Sequence, residues 1–247
     1  MKQIILITSA LKVELDIVKK ILASHTSKQI GYSFLLTGVG NYNTLFSLQK
    51  FLEKKTVHAI VNIGVCGTKH THSSDLLQVS RILNVASNKE TLCPIYQKVG
   101  KLISIASSEK VITSKSDISE DYVDMESYWV DFIASHFKIP HWILKVPFDI
   151  IWKKSKLVSL KDLENCLESI PLLKALRSIE SYLEKNKKTS QNIEKYTQHF
   201  RFTFAETEIF KKLLDRSIAL ELDFNTFYKK HKDEKKEDFL KKLQSYN

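Results

Sequence analysis

The sequence predicts a three-layer α/β protein, in which helices flank a central mixed β-sheet and a helical extension follows at the C-terminus. Two observations predict this class. Short β-branched apolar runs alternate with longer segments whose apolar residues recur at helical spacing, and the strand-like runs stop well before the end of the 247-residue chain. We therefore predict an α/β domain over residues 1–185 and a helical, lysine-rich extension over residues 186–247.

The first elements alternate strictly between strand and helix. Residues 3–8, QIILIT, are typical of a strand that is buried on both faces. The next segment has Leu11, Leu15 and Val18 at helical spacing, with charged residues between them. The runs YSFLLTGVG and HAIVNIGVCG are strands that end in glycines, where the chain turns sharply, and NTLFSLQKFLEKK between them is helical.

Three further strand-like runs complete the predicted sheet. They are DLLQVSRILNVAS, KLISIASSEKVI and PHWILKVPFDII, and the helix ESYWVDFIASHF precedes the last of them. The segment KDLENCLESIPLLKALRSIESYLEKNKK reads as helical, and the apolar stripe along its front half predicts packing on the sheet. In the extension, acids and bases alternate three or four residues apart, which is typical of a solvated helix face.

Composition excludes several classes of protein. The chain is 43% hydrophobic and 27% charged, as expected of a soluble globular protein. It shows no signal-peptide pattern, and no apolar run approaches the roughly 18 residues of a membrane span, so we expect a cytoplasmic protein without a membrane partner. Cys66, Cys93 and Cys166 are far apart and form no CxxC pair, so the sequence predicts no disulfide framework, metal site or cofactor.

The net charge of +10 could attract nucleic acid or an anionic metabolite. The clusters HFRFTF and FYKKHKDEKK interleave aromatic and basic residues, as single-strand binding surfaces do. The lysines are dispersed among acids, however, which lowers the local field. We therefore favour a helical pair that packs on the domain or on a second subunit over a nucleic-acid surface.

Polar or glycine residues follow several predicted strands at their carboxyl ends. Ligands of α/β sheets bind outside these ends, so the residues are expected to meet at one crevice. They are Glu14, the loop TGVG, the turn NIGVCG, the segment DYVDMESYW and Asp149. Apolar neighbours in VPFDII disfavour the charged form of Asp149 and raise its pKa, which suits a proton donor, whereas the alternative is an aspartate that caps the next helix.

In order and spacing, LITSALKVELDIV, TGVG, VNIGVCG, VDMES and KVPFDII resemble the nucleoside phosphorylase and nucleosidase superfamily over roughly residues 1–185. The chain has Thr8-Ser9-Ala10-Leu11 and Glu14 where larger phosphorylases carry a glycine-rich phosphate loop. It is thus most similar to the methylthioadenosine and adenosylhomocysteine nucleosidases and, through NIGVCG, to the futalosine hydrolases.

This resemblance implies hydrolysis of the N-ribosidic bond of a purine nucleoside or a nucleoside-like metabolite by a homo-oligomer. Phosphorolysis of a purine nucleoside on the same scaffold is one alternative. A catalytically inactive protein that binds a nucleoside or nucleic acid is the other.

The resemblance also implies the roles of individual residues. Asp149 would be the general acid, and Glu14 would activate the attacking water. Glu126 would bind the ribose hydroxyls above Met125, which would form an apolar floor. The remaining substrate-binding residues that the resemblance implies are Gly67, Val65, Val111, Ile112 and Phe148.

Several positions depart from the family pattern, mostly on the side of the base. Val65 replaces a small polar residue of the methylthioadenosine enzymes, and Val111 replaces an aromatic that stacks on the base. Phe148 stands in place of a serine that hydrogen-bonds to the catalytic aspartate, and Lys145 in place of an arginine. These changes weaken the case for adenine and keep the inactive alternative open.

Overall fold

The computed structural model describes residues 2–70, 75–151, 160–219 and 222–246. The chain divides into two compact units, Met1–Glu184 and Lys185–Asn247. The division lies one residue from the boundary that the sequence suggests. Among the described residues, no helix is both long and apolar enough to span a membrane.

The first unit alternates strands and helices as the sequence predicts. Its described strands are β1 (Gln3–Ser9), β2 (Ile30–Leu36), β3 (Ala59–Thr68), β4 (Leu77–Asn84), β5 (Lys89–Leu92), β6 (Lys101–Ser107), β7 (Tyr122–Asp124) and β8 (His141–Ile150). Its helices are α1 (Lys12–Ala23), α2 (Asn41–Leu52), α3 (Ser127–His136), α4 (Leu160–Glu168) and the first part of α5 (Leu172–Phe200), with a short 3-10 helix at Lys115–Asp117.

The strands form one mixed sheet that curls on itself. Its order is β2-β1-β3-β7-β6-β4-β5, and β8 pairs with both β3 and β4. The pairing of β8 is parallel to β3 and antiparallel to β4, where Leu77 lies opposite Lys145. Strands β3, β8, β4, β6 and β7 therefore pair around a closed ring, and the carboxyl ends of β1, β3 and β8 point the same way.

Two apolar clusters cover the two faces of the sheet. Successive side chains of a strand point to opposite faces, so Ile5 and Ile7 join one cluster while Leu6 joins the other. The first cluster packs against α1, α4 and α5, and the second against α2 and α3. The predicted three-layer fold with a central mixed sheet is therefore confirmed, as is the packing of the front half of the segment after β8.

Three local features differ from the sequence-based predictions. The segment DYVDMES contains the short strand β7 ahead of α3, and the polar strand β5 was not predicted. The segment predicted as a single helix is divided into α4 and α5 at Pro171. Proline has no N–H to donate and its ring clashes inside a helix, but it fits just ahead of a new one.

The second unit is helical, as predicted. It contains the last part of α5 with α6 (Phe204–Ala219), α7 (Phe224–His231) and α8 (Lys236–Tyr246). Its core is aromatic, with Phe210 and Phe239 fully buried and Phe200 and Phe227 nearly so. The aromatic residues Phe200 and Phe227, from the two clusters that suggested stacking on nucleic acid, thus pack inside this unit.

Candidate active site

A cavity of about 220 Å³ lies at the carboxyl ends of β1, β3 and β8, where an α/β sheet is expected to bind its ligand. Most of the predicted site residues line it: Glu14, Val65, Gly67, Val111, Ile112, Met125, Glu126 and Asp149. Phe148 instead packs against the core on the α1 side of the sheet. A larger depression of about 770 Å³, lined by His70, Arg81 and Glu120 among others, contains none of the predicted residues.

Glu14 is a buried carboxylate, only 2% exposed, in the first turn of α1. Its Oε2 accepts a hydrogen bond of 2.9 Å from the backbone N–H of Leu11, and its Oε1 accepts one of 2.9 Å from that of Val65. A Cβ atom at Gly64 would lie 3.0 Å from Oε1, so any larger residue there would push against this carboxylate. Burial raises the pKa of Glu14, and the two backbone donors oppose that rise.

Glu126 is the second buried carboxylate, 6% exposed, and lies between β7 and α3. Its Oε1 accepts a hydrogen bond of 3.0 Å from the backbone N–H of Gly40. Gly40 has a φ of 93° and Gly38 a φ of 82°, a left-handed region that favours glycine, so the TGVG sequence is what allows this turn. Burial raises the pKa of Glu126, although the positive charge of Lys145 opposes the rise.

Lys145 and Asp124 form a buried ion pair next to Glu126. Lys145, in the centre of β8, is 1% exposed, and its Nζ lies 2.7 Å from Oδ2 of Asp124 and 3.6 Å from Oε2 of Glu126. Asp124 also accepts hydrogen bonds from the backbone N–H and the hydroxyl of Ser127. Burial alone would lower the pKa of Lys145, but Asp124 and Glu126 outweigh it and hold that pKa above its ordinary range.

Sequence reasoning missed this pair as a functional feature. Lys145 was noted only as a departure from the family pattern, and Asp124 was given no role. Its only sequence signal was a lysine in the middle of an apolar strand, since such a charge is rarely buried without a partner. The partner itself comes from β7, which was not predicted as a strand.

Asp149 reaches the cavity through an irregularity in β8. Cys66 pairs with Pro147, but the next residue of β3, Gly67, pairs with Asp149, so Phe148 is an extra residue. A bulge of this kind re-aims the side chains around it. Asp149 is exposed, in contrast to the apolar surroundings that its sequence context suggested.

Gly67 also has a steric reason to be glycine. A Cβ atom at this position would lie 2.9 Å from Cγ1 of Val123, which is too close for a real side chain. The backbone of β3 therefore passes close to β7 beside the cavity. Val111, which also lines the cavity, is 75% exposed.

Comparison with known proteins identifies the fold. No family model matches the sequence, and no curated protein is similar to it. Among solved structures, a 5'-methylthioadenosine/S-adenosylhomocysteine nucleosidase from Helicobacter pylori, bound to butyl-thio-DADMe-Immucillin-A, has a TM-score of 0.60 at 15% identity; the match covers 75% of this chain and 99% of that one. The chain has the fold of the nucleoside phosphorylase and nucleosidase superfamily.

Two other solved nucleosidase structures are similar to the same extent. A futalosine hydrolase from Helicobacter pylori has a TM-score of 0.60 at 14% identity, over 74% of this chain and 99% of that one. A 5'-methylthioadenosine nucleosidase from Arabidopsis thaliana has a TM-score of 0.57 at 15% identity, over 73% and 96%. These matches confirm the resemblance at the level of the fold. They cover nearly the whole length of both enzymes.

Proposed function

We propose that this protein hydrolyses the N-ribosidic bond of a purine nucleoside or a nucleoside-like metabolite. The observation that carries the proposal is the convergence of three carboxylates, Glu14, Glu126 and Asp149, on one cavity in a nucleosidase fold. Breaking the bond between ribose and base passes through an oxocarbenium-like cation. The reaction needs a group that binds the sugar, an activated water and an acid for the leaving base.

Glu126 is suited to the sugar. Its carboxylate is held by Gly40 and Lys145, and as an acceptor it can receive hydrogen bonds from ribose hydroxyls. Its negative charge, held in a buried position, favours the positive charge that develops on the sugar. Met125 lines the same cavity and offers the apolar surface beneath the ring.

Glu14 is suited to the attacking water. Two backbone donors fix its orientation, and its raised pKa brings proton acceptance closer to neutral pH, as a general base requires. A phosphate nucleophile would need cationic ligands instead. The described residues that line the cavity include no arginine and one lysine, the exposed Lys110, and Lys145 behind the cavity is already engaged by Asp124 and Glu126. A single exposed lysine is a weak phosphate site, so we favour hydrolysis, and the phosphate dependence of base release tests this choice.

Asp149 is suited to the leaving base, because it lies at the strand end beside Gly67 and lines the same cavity. Val111 and Ile112 line the same cavity and would flank the base. The two classes of neighbour bind related nucleosides, 5'-methylthioadenosine and futalosine among them. These compounds are the first substrates to test.

The decisive experiment measures free base released from a panel of nucleosides in the presence and absence of phosphate. The panel contains methylthioadenosine, adenosylhomocysteine, futalosine, deoxyadenosine and inosine. We expect release of base from at least one compound without phosphate. Release that requires phosphate would replace hydrolysis by phosphorolysis, and no release under either condition would leave an inactive nucleoside-binding protein.

Two further expectations remain predictions. The resemblance implies a homo-oligomer, which sedimentation of the purified chain at several concentrations would test. Cytoplasmic location would be tested by fractionating cells that express the full-length chain. Neither result alters the assignment of residues to the cavity.

A further inference from the structure

A buried cluster of potential metal ligands lies outside the proposed active site. Cys93 follows β5, Asp131 lies in α3, and His141 begins β8, and each is less than 9% exposed. Their ligand atoms all lie within 4.8 Å of one another. His141 stands at the amino end of β8, whereas Asp149 lies near its carboxyl end, so the proposed nucleosidase chemistry does not use this cluster.

An acceptor lies against each ring nitrogen of His141. Its Nε2 lies 2.9 Å from Oδ1 of Asp131, and its Nδ1 lies 3.3 Å from the backbone oxygen of Ile139. A carbonyl and an ionised carboxylate both accept hydrogen bonds, but a neutral imidazole carries only one N–H. A cation bound in the cluster would take up Nε2 and leave Nδ1–H to donate to the carbonyl of Ile139.

Cys93 distinguishes this cluster from an ordinary aspartate–histidine pair. Its thiol is buried beside the carboxylate of Asp131. As a thiol, this sulfur donates a hydrogen bond to that carboxylate. It becomes a strong ligand once a cation replaces the proton.

We propose that Cys93, Asp131 and His141 bind a zinc ion. Thiolate, imidazole and carboxylate are the ligands that Zn²⁺ takes, at about 2.0–2.3 Å, so neighbouring ligand atoms lie within the separation seen here. One thiolate and one carboxylate neutralise the two charges of the ion, which suits a buried site. Nδ1–H of His141 then donates to the carbonyl of Ile139, the outer contact that orients a zinc-bound histidine.

The ion would join three separate elements of the fold. It would tie the turn after β5 and the helix α3 to the start of β8, with the fourth coordination position filled by water. No short ligand spacing marks the site, which is why the sequence predicted no metal. The ligands meet only because α3 packs beside β8 in the folded sheet.

Cobalt reports on this site directly, because a cysteine thiolate bound to Co²⁺ gives a charge-transfer absorption. The full chain, prepared without a histidine tag and stripped with a chelator, is titrated with Co²⁺ and then with Zn²⁺. We expect the absorption to saturate at one equivalent and to disappear as Zn²⁺ displaces the cobalt. The thermal midpoint should rise with Zn²⁺ at the same stoichiometry.

Variants assign the signal to these ligands. Cys93→Ser should abolish the charge-transfer absorption, whereas Cys166→Ser, which changes a half-buried thiol on α4, should retain it. Asp131→Asn should weaken zinc binding at least about tenfold. Circular dichroism of each variant checks its folding, and a folded wild-type chain without the absorption, or an unchanged absorption in Cys93→Ser, would overturn the proposal.

Discussion

The two sides of the candidate active site are built differently. On the ribose side, Glu126, Asp124 and Lys145 are buried, and the lysine forms ion pairs with both carboxylates. On the base side, Asp149 is exposed at a strand bulge and Val111 is 75% exposed. Under the proposed function, the sugar, which all nucleosides share, would lie against the buried charged network, and the variable base would lie at the open edge.

The largest effect is expected from removing the acid on the base side. Asp149→Asn cannot donate a proton to the leaving purine, so we expect base release to fall about 100-fold to 10,000-fold. The measurement is the rate of base release at saturating substrate. Asp16→Asn, which changes an exposed carboxylate on α1, is the matched control and should retain full activity. Undiminished activity in Asp149→Asn would assign the base side to another group.

On the ribose side, removing the buried cation should lower the stability of the folded chain. Lys145→Met leaves Asp124 and Glu126 buried without their cation, which should lower the free energy of unfolding by about 3–5 kcal/mol. Urea denaturation measures this change. Lys101→Met, at an exposed position of β6, should change it by no more than about 0.5 kcal/mol. Equal effects of the two substitutions would show that the network does not hold the ribose side.

The pH profile sharpens the comparison, because burial raises the pKa values of Glu14 and Glu126. Glu14 and Glu126 must be ionised to act, and burial raises both pKa values above 4.5. Activity should therefore rise with pH through a limb that lies above 4.5, and it should fall between about tenfold and 100-fold per pH unit below that limb, because two carboxylates must be ionised. A limb at or below 4.5, measured as kcat/KM against pH, would contradict the buried assignment.

The same shifts predict a trend in stability. A carboxyl whose folded pKa is raised favours the folded chain below its unfolded value, and that contribution is lost as pH rises through the folded pKa. Glu14 and Glu126 should thus make the unliganded chain less stable near neutral pH than their protonated forms would. The active site would in this respect carry a cost in stability that its function requires.

The smallest effect is expected from placing a larger, aromatic side chain on the base side. Val111→Phe restores an aromatic beside the cavity, and stacking on a purine should lower KM about twofold to tenfold with little change in kcat. Leu92→Phe, at an exposed position of β5, is the control and should change neither constant. An increase in KM for Val111→Phe would show that this edge is already occupied by the bound base.

Much of this site could be predicted because its signals are local. Strand ends collect ligand-binding residues in any α/β sheet, so Glu14 and Asp149 could be placed at one crevice from the order of strands. Glu126 was placed there by the resemblance of VDMES to the family motif. The glycines of TGVG and NIGVCG marked the turns that bring the backbone to the carboxylates. These residues meet even though the sheet curls, because β1, β3 and β8 are parallel and end at the same edge.

What could not be predicted depends on contacts between distant segments. Lys145 meets Asp124 only because β7 and β8 flank β3, and β7 is too short and polar to be recognised. The bulge at Phe148 depends on pairing with β3, which no local pattern reveals. Cys93 meets Asp131 in the same way, through packing that brings together three separate elements.

The most direct test of the proposed hydrolysis compares the wild-type chain with Glu126→Gln in phosphate-free buffer and measures the free base and the free sugar released together. We expect equal amounts of base and sugar from the wild-type chain and a rate about 100-fold to 1,000-fold lower from the variant, because it lacks the charge that favours the ribosyl cation. Base release at the same rate from both proteins, or none from either, would contradict the assignment of this cavity as a nucleosidase active site.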